Sequence, residues 1–385
     1  TRTARLPTVP VSWRAPLTVT LVAMTAAAVV VNSVVATPTV GPPIDYTLFG
    51  LAGSHILTGQ WVGIFSGSLI QAGPLELTFW GVPFLIGFDS QIGWITFSIV
   101  ASTVFSILFA LLTQRLLRPL APTWSTPLAI VATFLAAVSG QPSQTLAAGH
   151  PAEFVIPLMW IVSATLARRG SAFSAALVLA ATAGWELWGL LGVPVLLFAP
   201  SIDLRTVWRS ALGGVTALVV LFAPFVLLGP FRMFSFAWPI RDDTLAHLLF
   251  PRDETFPWPL RLAQGVLSIG VGAIIAVLAR RRPDAVWLVP LAVCAIRLFT
   301  DPVLARYYAV PSLMMILIGL VFAIAQRSLA VFIACLLMFN LLIDAQLTVL
   351  TVGIFVILVI ATAVFVVRDA RRLRRGPWAT VGASR

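Results

Sequence analysis

The feature that most constrains the fold is a series of long apolar stretches separated by short clusters of arginine. The chain of 385 residues is 59% hydrophobic and only 10% charged, whereas about 25% of the residues in a soluble domain are charged. So few charged residues cannot provide the surface of a water-soluble body of this size. We therefore predict an all-α polytopic integral membrane protein with a single membrane domain, 1–385.

The basic residues predict the topology of that domain. All 25 of them are arginines, and the formal net charge is +11. Because the arginines cluster between apolar stretches, they indicate cytoplasmic loops, and we expect no nucleic-acid partner. Their alternation predicts about twelve transmembrane helices in the plasma membrane, with a cytoplasmic N-terminus at 1–16 and a cytoplasmic basic tail at 368–385. The expected crossings are 17–37, 91–113, 123–140, 153–167, 171–184, 188–200, 211–229, 261–279, 285–299, 307–325, 328–343 and 347–367.

The first crossing could instead be a signal peptide, because Ser33 to Ala36 resembles a cleavage site. The apolar stretch before it is longer than the usual signal-peptide core. An uncleaved first helix is the interpretation that we adopt.

Several segments fall on the outer face in this topology. The first outer loop, 38–90, has a polar, glycine-rich part and is expected to carry interfacial helices, one of them beginning at Pro74. Segments 141–152 and 230–260 are also long, and 300–308 is shorter. We expect function where these outer segments converge.

Asp45 is the first candidate for chemistry. Pro42 and Pro43 precede it, and apolar residues follow it at helical spacing. One interpretation is an N-cap that accepts the free N–H groups of that helix. The other is a general base at the membrane surface that takes a proton from an incoming hydroxyl.

Further candidates in the same loop are Gln71, Glu76 and His55. Glu76 would interact favourably with the dipole of the helix that begins at Pro74, or would bind an acceptor molecule. His55 is expected on the inward side of its helix, either packed there or at a lipid headgroup, with a catalytic role as the alternative.

The cationic candidates lie in the other outer segments. His150, between Gly149 and Pro151, could donate to a phosphate or a sugar hydroxyl, and Glu153 could cap the next helix. Arginines at headgroup depth oppose the topological bias and require a partner such as a phosphate. Arg297 would alternatively pair with Asp301, four residues further on. The four arginines considered as phosphate ligands are Arg241, Arg252, Arg297 and Arg306.

Together these motifs resemble the GT-C superfamily of polyprenyl-phosphate-sugar-dependent glycosyltransferases, in particular actinobacterial mannosyltransferase-like members. The resemblance rests on Asp45 after the first helix, the Leu-Thr-Gly-Gln-Trp stretch at 57–61, and the Gly-Pro-Leu motif at 73–75. It also uses the Gly-His-Pro loop at 149–151 and the Arg-Tyr-Tyr segment at 306–308.

This resemblance implies a GT-C-like fold and an active site facing the outside. Asp45 would be the catalytic base, with Arg306, His150, Arg241, Arg252 and Arg297 on the donor phosphate and Glu76, His55, Gln71 and Tyr307 on the acceptor or sugar. The expected partners are a polyprenyl-phosphate sugar, with mannose suggested, a glycolipid or glycan acceptor, and the lipid bilayer. No cofactor is expected, and no metal site: a divalent metal would not be obligatory.

Two alternatives stay open from the sequence. A lipid or small-molecule transporter or flippase would bury charged residues within the membrane and show repeat symmetry. A membrane scaffold without enzymatic activity is the other alternative.

Overall fold

The computed structural model describes residues 11–36, 43–251, 254–344 and 347–375, and these residues are mainly α-helical. The α-helices in these ranges are α1 (Val11–Ala36), α2 (Ile44–Leu57), α3 (Pro74–Leu85), α4 (Gln91–Leu117), α5 (Ser125–Val138), α6 (Gln141–Ala147), α7 (Ala152–Arg168), α8 (Ala172–Ala181), α9 (Leu204–Leu228), α10 (Leu245–Leu249), α11 (Trp258–Ala279), α12 (Leu288–Thr300), α13 (Val310–Gln326), α14 (Leu329–Asp344) and α15 (Val349–Arg375).

Six helices in the described ranges are long and apolar enough to cross a membrane. They contain the segments Thr18–Val35, Gln91–Leu117, Leu204–Leu228, Trp258–Ala279, Arg306–Gln326 and Val349–Arg368. Shorter apolar helices lie between them, among them α5, α12 and α14. The prediction of an α-helical, membrane-embedded protein is confirmed at this level.

A hairpin of unusual geometry follows α8. The chain continues as 3₁₀-helix at Thr182–Gly184, turns at Trp185 and Glu186, and forms a second 3₁₀-helix at Leu187–Phe198. A 3₁₀-helix rises about 2.0 Å per residue, compared with about 1.5 Å in an α-helix, so the same number of residues spans a longer distance. The indole N–H of Trp160 in α7 donates a 2.7 Å hydrogen bond to the carbonyl of Gly189 and fixes this hairpin. Glu186 is thereby held at its tip.

Helices α2 and α3 pack backbone against backbone through two glycines. A Cβ on Gly53 would overlap the carbonyl group of Leu77, and one on Gly81 would overlap the backbone of Gly53. Small residues at such a contact let helices approach closely. Beside it, Tyr46 is buried and donates a 2.6 Å hydrogen bond to the carbonyl of Phe88. The start of α2 is therefore fixed against α3 and its C-terminal turn.

A buried ion pair joins α7 to α12. The guanidinium of Arg297 donates to both carboxylate oxygens of Glu153, at 2.8 and 2.7 Å. The rings of Trp188 and Tyr308 cover it, with their centroids 4.0 and 4.8 Å from the guanidinium carbon. Mutual neutralisation is what allows two charged groups to be buried together.

This pairing corrects two predictions. Arg297 does not pair with Asp301, because α12 ends at Thr300 and Asp301 has extended backbone, so the i,i+4 geometry of a helix is not available. Asp301 instead accepts a 2.9 Å hydrogen bond from Arg261. Nor does Glu153 cap α7: it lies inside the first turn after Pro151 and turns toward Arg297.

The predicted outer segments contact one another. The amide of Arg232 donates to the carbonyl of Phe65 at 2.7 Å, which joins segment 230–260 to the first loop. The amide of Arg241 donates to the carbonyl of Pro302 at 2.9 Å. A short antiparallel pairing of Trp238–Pro239 with Thr255–Phe256 closes segment 230–260 on itself. These contacts assemble one surface from segments distant in the sequence.

We expect Glu153→Gln to lower the free energy of unfolding by about 3–5 kcal/mol, because it leaves the buried Arg297 without a counter-charge. The measurement is denaturant-induced unfolding of the purified protein in detergent micelles. The double variant Glu153→Leu/Arg297→Met removes both charges and should regain most of the loss. If the double variant were as unstable as the single one, charge compensation would not be the source of the effect.

Candidate active site

Asp45 and His150 form the accessible part of the site. Asp45 lies in the first turn of α2, and its Oδ2 is 3.2 Å from Nε2 of His150. The Asp45 side chain is 45% exposed and the His150 side chain 15% exposed. A carboxylate that is oriented by a histidine and still exposed at the protein surface has one oxygen free for another molecule.

The N-cap interpretation of Asp45 is wrong. Helix α2 begins at Ile44, its N-cap is Pro43, and no side chain caps its N–H groups. Asp45 is therefore inside the helix, where its side chain turns toward His150 rather than back to the backbone. The structure leaves the carboxylate available for chemistry.

The position of His150 depends on the glycine before it. Gly149 has a φ of 84°, a left-handed conformation that favours glycine. A Cβ at Gly149 would also be 3.1 Å from the Cβ of Asp45. The indole N–H of Trp80 donates to the carbonyl of Gly149 at 3.2 Å. The turn after α6 can thus bring the imidazole directly against the start of α2.

Tyr307 completes the surroundings of the imidazole. Its ring stacks on the ring of His150, with a centroid distance of 4.3 Å and an angle of 12°. Arg306 precedes it in the 3₁₀ turn Arg306–Ala309 and is exposed, and it forms no ion pair with any other residue that the structure describes. An unpaired guanidinium therefore lies one residue from a ring that contacts the Asp45–His150 pair.

Two further carboxylates lie behind His150. Glu186 is held by an isolated β-bridge to Ala72, and its Oε1 is 3.5 Å from Nδ1 of His150, at the far limit of a hydrogen bond. Glu76, in the first turn of α3, is fully buried, and neither of its carboxylate oxygens has a hydrogen bond of ordinary geometry with a described residue. The arrangement is a small interior cluster of Glu76, His150 and Glu186.

Burial and the neighbouring charges together shift the pKa values of Glu76 and His150. Burial, and then the nearby Glu186, raise the pKa of Glu76 well above its usual range. Burial lowers the pKa of His150, but Tyr307 and the carboxylates of Asp45 and Glu186 more than offset this and raise it well above its ordinary value. The pocket behind Asp45 therefore favours positive charge.

The remaining predicted residues lie at different distances from this centre. Gln71 precedes the bridge residue Ala72 and is half-buried next to the cluster. His55 is in the last turn of α2, about 15 Å from Asp45 along the axis at 1.5 Å per residue, so the structure does not bring it to the site. Arg241 is exposed on segment 230–260, and Arg252 lies outside the described residues.

Glu186 and the role of Glu153 are absent from the sequence-based predictions. The available signal for Glu186 was an acidic residue between two tryptophans, Trp185 and Trp188, at the junction of two short apolar stretches. For Glu153 there was no local signal, because its partner Arg297 is 144 positions away.

Neither a protein-family model nor a curated protein sequence matches this chain.

Gly73→Ala should disturb the cluster, because the added Cβ would overlap the carbonyl oxygens of Gly184 and Ala183 and push the Glu186 turn away. We expect a destabilisation of about 1–3 kcal/mol, typical of overpacking. Gly67→Ala is the matched control, since no heavy atom lies within 4 Å of its added Cβ. Thermal unfolding in detergent should separate the two variants; equal midpoints would contradict the predicted contact.

Proposed function

We propose that the protein is a membrane glycosyltransferase of the GT-C type, which transfers a sugar from a polyprenyl-phosphate donor to a hydroxyl group of a glycolipid or glycan. The observation that carries the proposal is the half-exposed Asp45 held against His150, next to the turn that bears the unpaired Arg306. A base and a cation at one surface are the two groups that this reaction needs. Mannose is the sugar suggested by the resemblance.

The proposed reaction is a single displacement with inversion. The acceptor hydroxyl oxygen attacks the anomeric carbon of the sugar and gives its proton to the free oxygen of Asp45. The bond between the anomeric carbon and the phosphate oxygen breaks, and its electron pair leaves with the polyprenyl phosphate. Because this leaving group is already stable as an anion, no acid has to protonate it. One carboxylate base without a carboxylate nucleophile is what an inverting enzyme requires, by analogy with glycosidases.

Charge that develops on the leaving phosphate has to be stabilised by fixed cations. Arg306 supplies the first of these, because its guanidinium is exposed and unpaired among the described residues. Arg241 lies on the segment that bonds Pro302 and is the second candidate. Arg297 is not included, because its guanidinium is buried, is paired with Glu153 and contacts two aromatic rings.

We further propose that the twelve apolar segments all cross the membrane and that the site faces the outside. The site lies at the start of α7, whereas Arg168, at its other end, donates to the carbonyl of Arg282 at 2.8 Å. Seventeen residues of α-helix separate these ends by about 25 Å, close to the thickness of the hydrocarbon core. The arginine-rich ends would then be cytoplasmic, as the positive-inside rule requires.

A carrier is the second candidate, and the buried Glu76 favours it. Ionisable residues inside a membrane protein commonly mark a proton or substrate path. A labelled polyprenyl-phosphate sugar added to the purified protein in liposomes separates the two functions. Formation of a glycosylated product supports the transferase, whereas movement of the lipid without product supports the carrier.

Asp45→Asn should fold normally and lose transfer by roughly a hundredfold or more, because the amide cannot accept the proton of the acceptor. The measurement is product formation from the labelled donor. Asp89→Asn is the control, since Asp89 is an exposed acid near the start of α4 and outside the site. Near-normal transfer by Asp45→Asn would remove Asp45 from the mechanism.

Arg306→Ala should raise the KM for the donor by about ten- to a hundredfold, the equivalent of one hydrogen bond to a charged group. Rates are measured as the donor concentration varies. Arg232→Ala is the matched control, because Arg232 is an exposed arginine of segment 230–260 whose described hydrogen bonds are made by its backbone. An unchanged donor dependence in Arg306→Ala would reject the phosphate role.

A further inference from the structure

The cluster behind Asp45 has the composition of a metal site. Glu76, His150 and Glu186 each offer one ligand atom, and these three atoms lie within 4.8 Å of one another. Nitrogen from imidazole and oxygen from carboxylates are the ligands that Zn²⁺ and similar divalent transition metals accept. At this spacing small side-chain rotations would let the three groups converge on one ion.

The burial of Glu76 is the independent observation. Neither of its carboxylate oxygens has a hydrogen bond of ordinary geometry with a described residue, although the backbone of Ala152 is near, and its side chain is fully buried. A buried polar group without a partner is destabilising, and a charged one more so. A second carboxylate, that of Glu186, lies nearby and adds repulsion. A bound cation would satisfy both groups at once.

The orientation of His150 fits the same conclusion. Its Nε2 faces Asp45 at 3.2 Å, and Nδ1, which has no hydrogen bond of ordinary geometry, faces Glu186 at 3.5 Å. Metal-binding histidines commonly donate the N–H of their other nitrogen to a carboxylate, which fixes the tautomer and the ring. Asp45 would be this carboxylate, and Nδ1 would be left free to bind the ion.

The three ligands are also held by separate rigid features. Glu76 is in the first turn of α3 after Pro74, and Glu186 is fixed by its bridge to Ala72. His150 follows the left-handed Gly149. Ligands that are already placed by the backbone reduce the ordering that binding requires.

We propose that Glu76, His150 and Glu186 bind one divalent transition-metal ion, with Asp45 orienting the histidine from outside the coordination shell. Three protein ligands leave one position of a tetrahedral ion for water or another molecule. The resemblance to GT-C enzymes predicted no obligatory metal, so this site is an addition to that picture. The proposal concerns binding and stands whether or not the protein transfers sugar.

The test uses the full chain, purified in detergent with any affinity tag removed and stripped of metal with a chelator. Titration with Zn²⁺ by calorimetry, and with Mn²⁺ by electron paramagnetic resonance, should give one ion per chain. Glu76→Gln and Glu186→Gln should each weaken binding by at least about a hundredfold, and Asp45→Asn, which acts through His150, by about 10–100-fold. Glu254→Gln, an exposed glutamate outside the cluster, should bind like the unmodified protein.

Binding should also raise the thermal midpoint of the unmodified protein and leave that of Glu76→Gln unchanged, since an ion that binds the folded state stabilises it. The absence of saturable uptake by the unmodified protein would overturn the proposal. The proposal would also be overturned if Glu76→Gln and Glu186→Gln bound the ion as tightly as the unmodified protein does. If Glu76→Gln fails to fold, the affinity of Glu186→Gln decides. Metal binding without sugar transfer would refute only the proposed reaction, and sugar transfer without metal binding would refute only this site.

Discussion

The site depends on one imidazole that contacts four separate parts of the chain. His150 meets Asp45 of α2 on one nitrogen and Glu186 of the 3₁₀ hairpin on the other, and its face stacks on Tyr307. Glu76 of α3 lies behind it. Without this ring, like-charged carboxylates would face one another in a poorly solvated interior. The imidazole therefore stabilises the point at which these segments converge.

A buried ion pair lies close to this centre. Glu153 follows His150 by three residues, and its bidentate pair with Arg297 joins α7 to α12 while Tyr308 covers the guanidinium. Tyr308 and Tyr307 are adjacent, so the same short turn contacts both the ion pair and the imidazole. The two clusters are therefore joined by one short turn of packed side chains.

The site lies at one end of the helices because a bilayer restricts which backbone conformations can lie within it. Inside a bilayer, backbone polar groups must be paired within the element, which favours helices over irregular segments. Irregular backbone is consequently found at one end, where Gly149, the Glu186 turn and the turn at Arg306 build the site. At the helix ends away from the site, arginine side chains bind backbone carbonyls. Arg280, for example, donates to the carbonyls of Ala199 and Pro200.

The sequence by itself determined the class of protein and the approximate positions of the helices, and it singled out the segments around Asp45, His150 and Tyr307, which lie together in the structure. These are local properties, because hydropathy, arginine clustering and proline or glycine positions act within a few residues. Only the tertiary structure decided which charges meet. Glu186 lies in the site, and Arg297 pairs with Glu153, 144 positions away, and not with Asp301. A buried charge pairs with whichever opposite charge the packing places next to it. That choice is set by the contacts of whole helices and has no signal in the residues next to it.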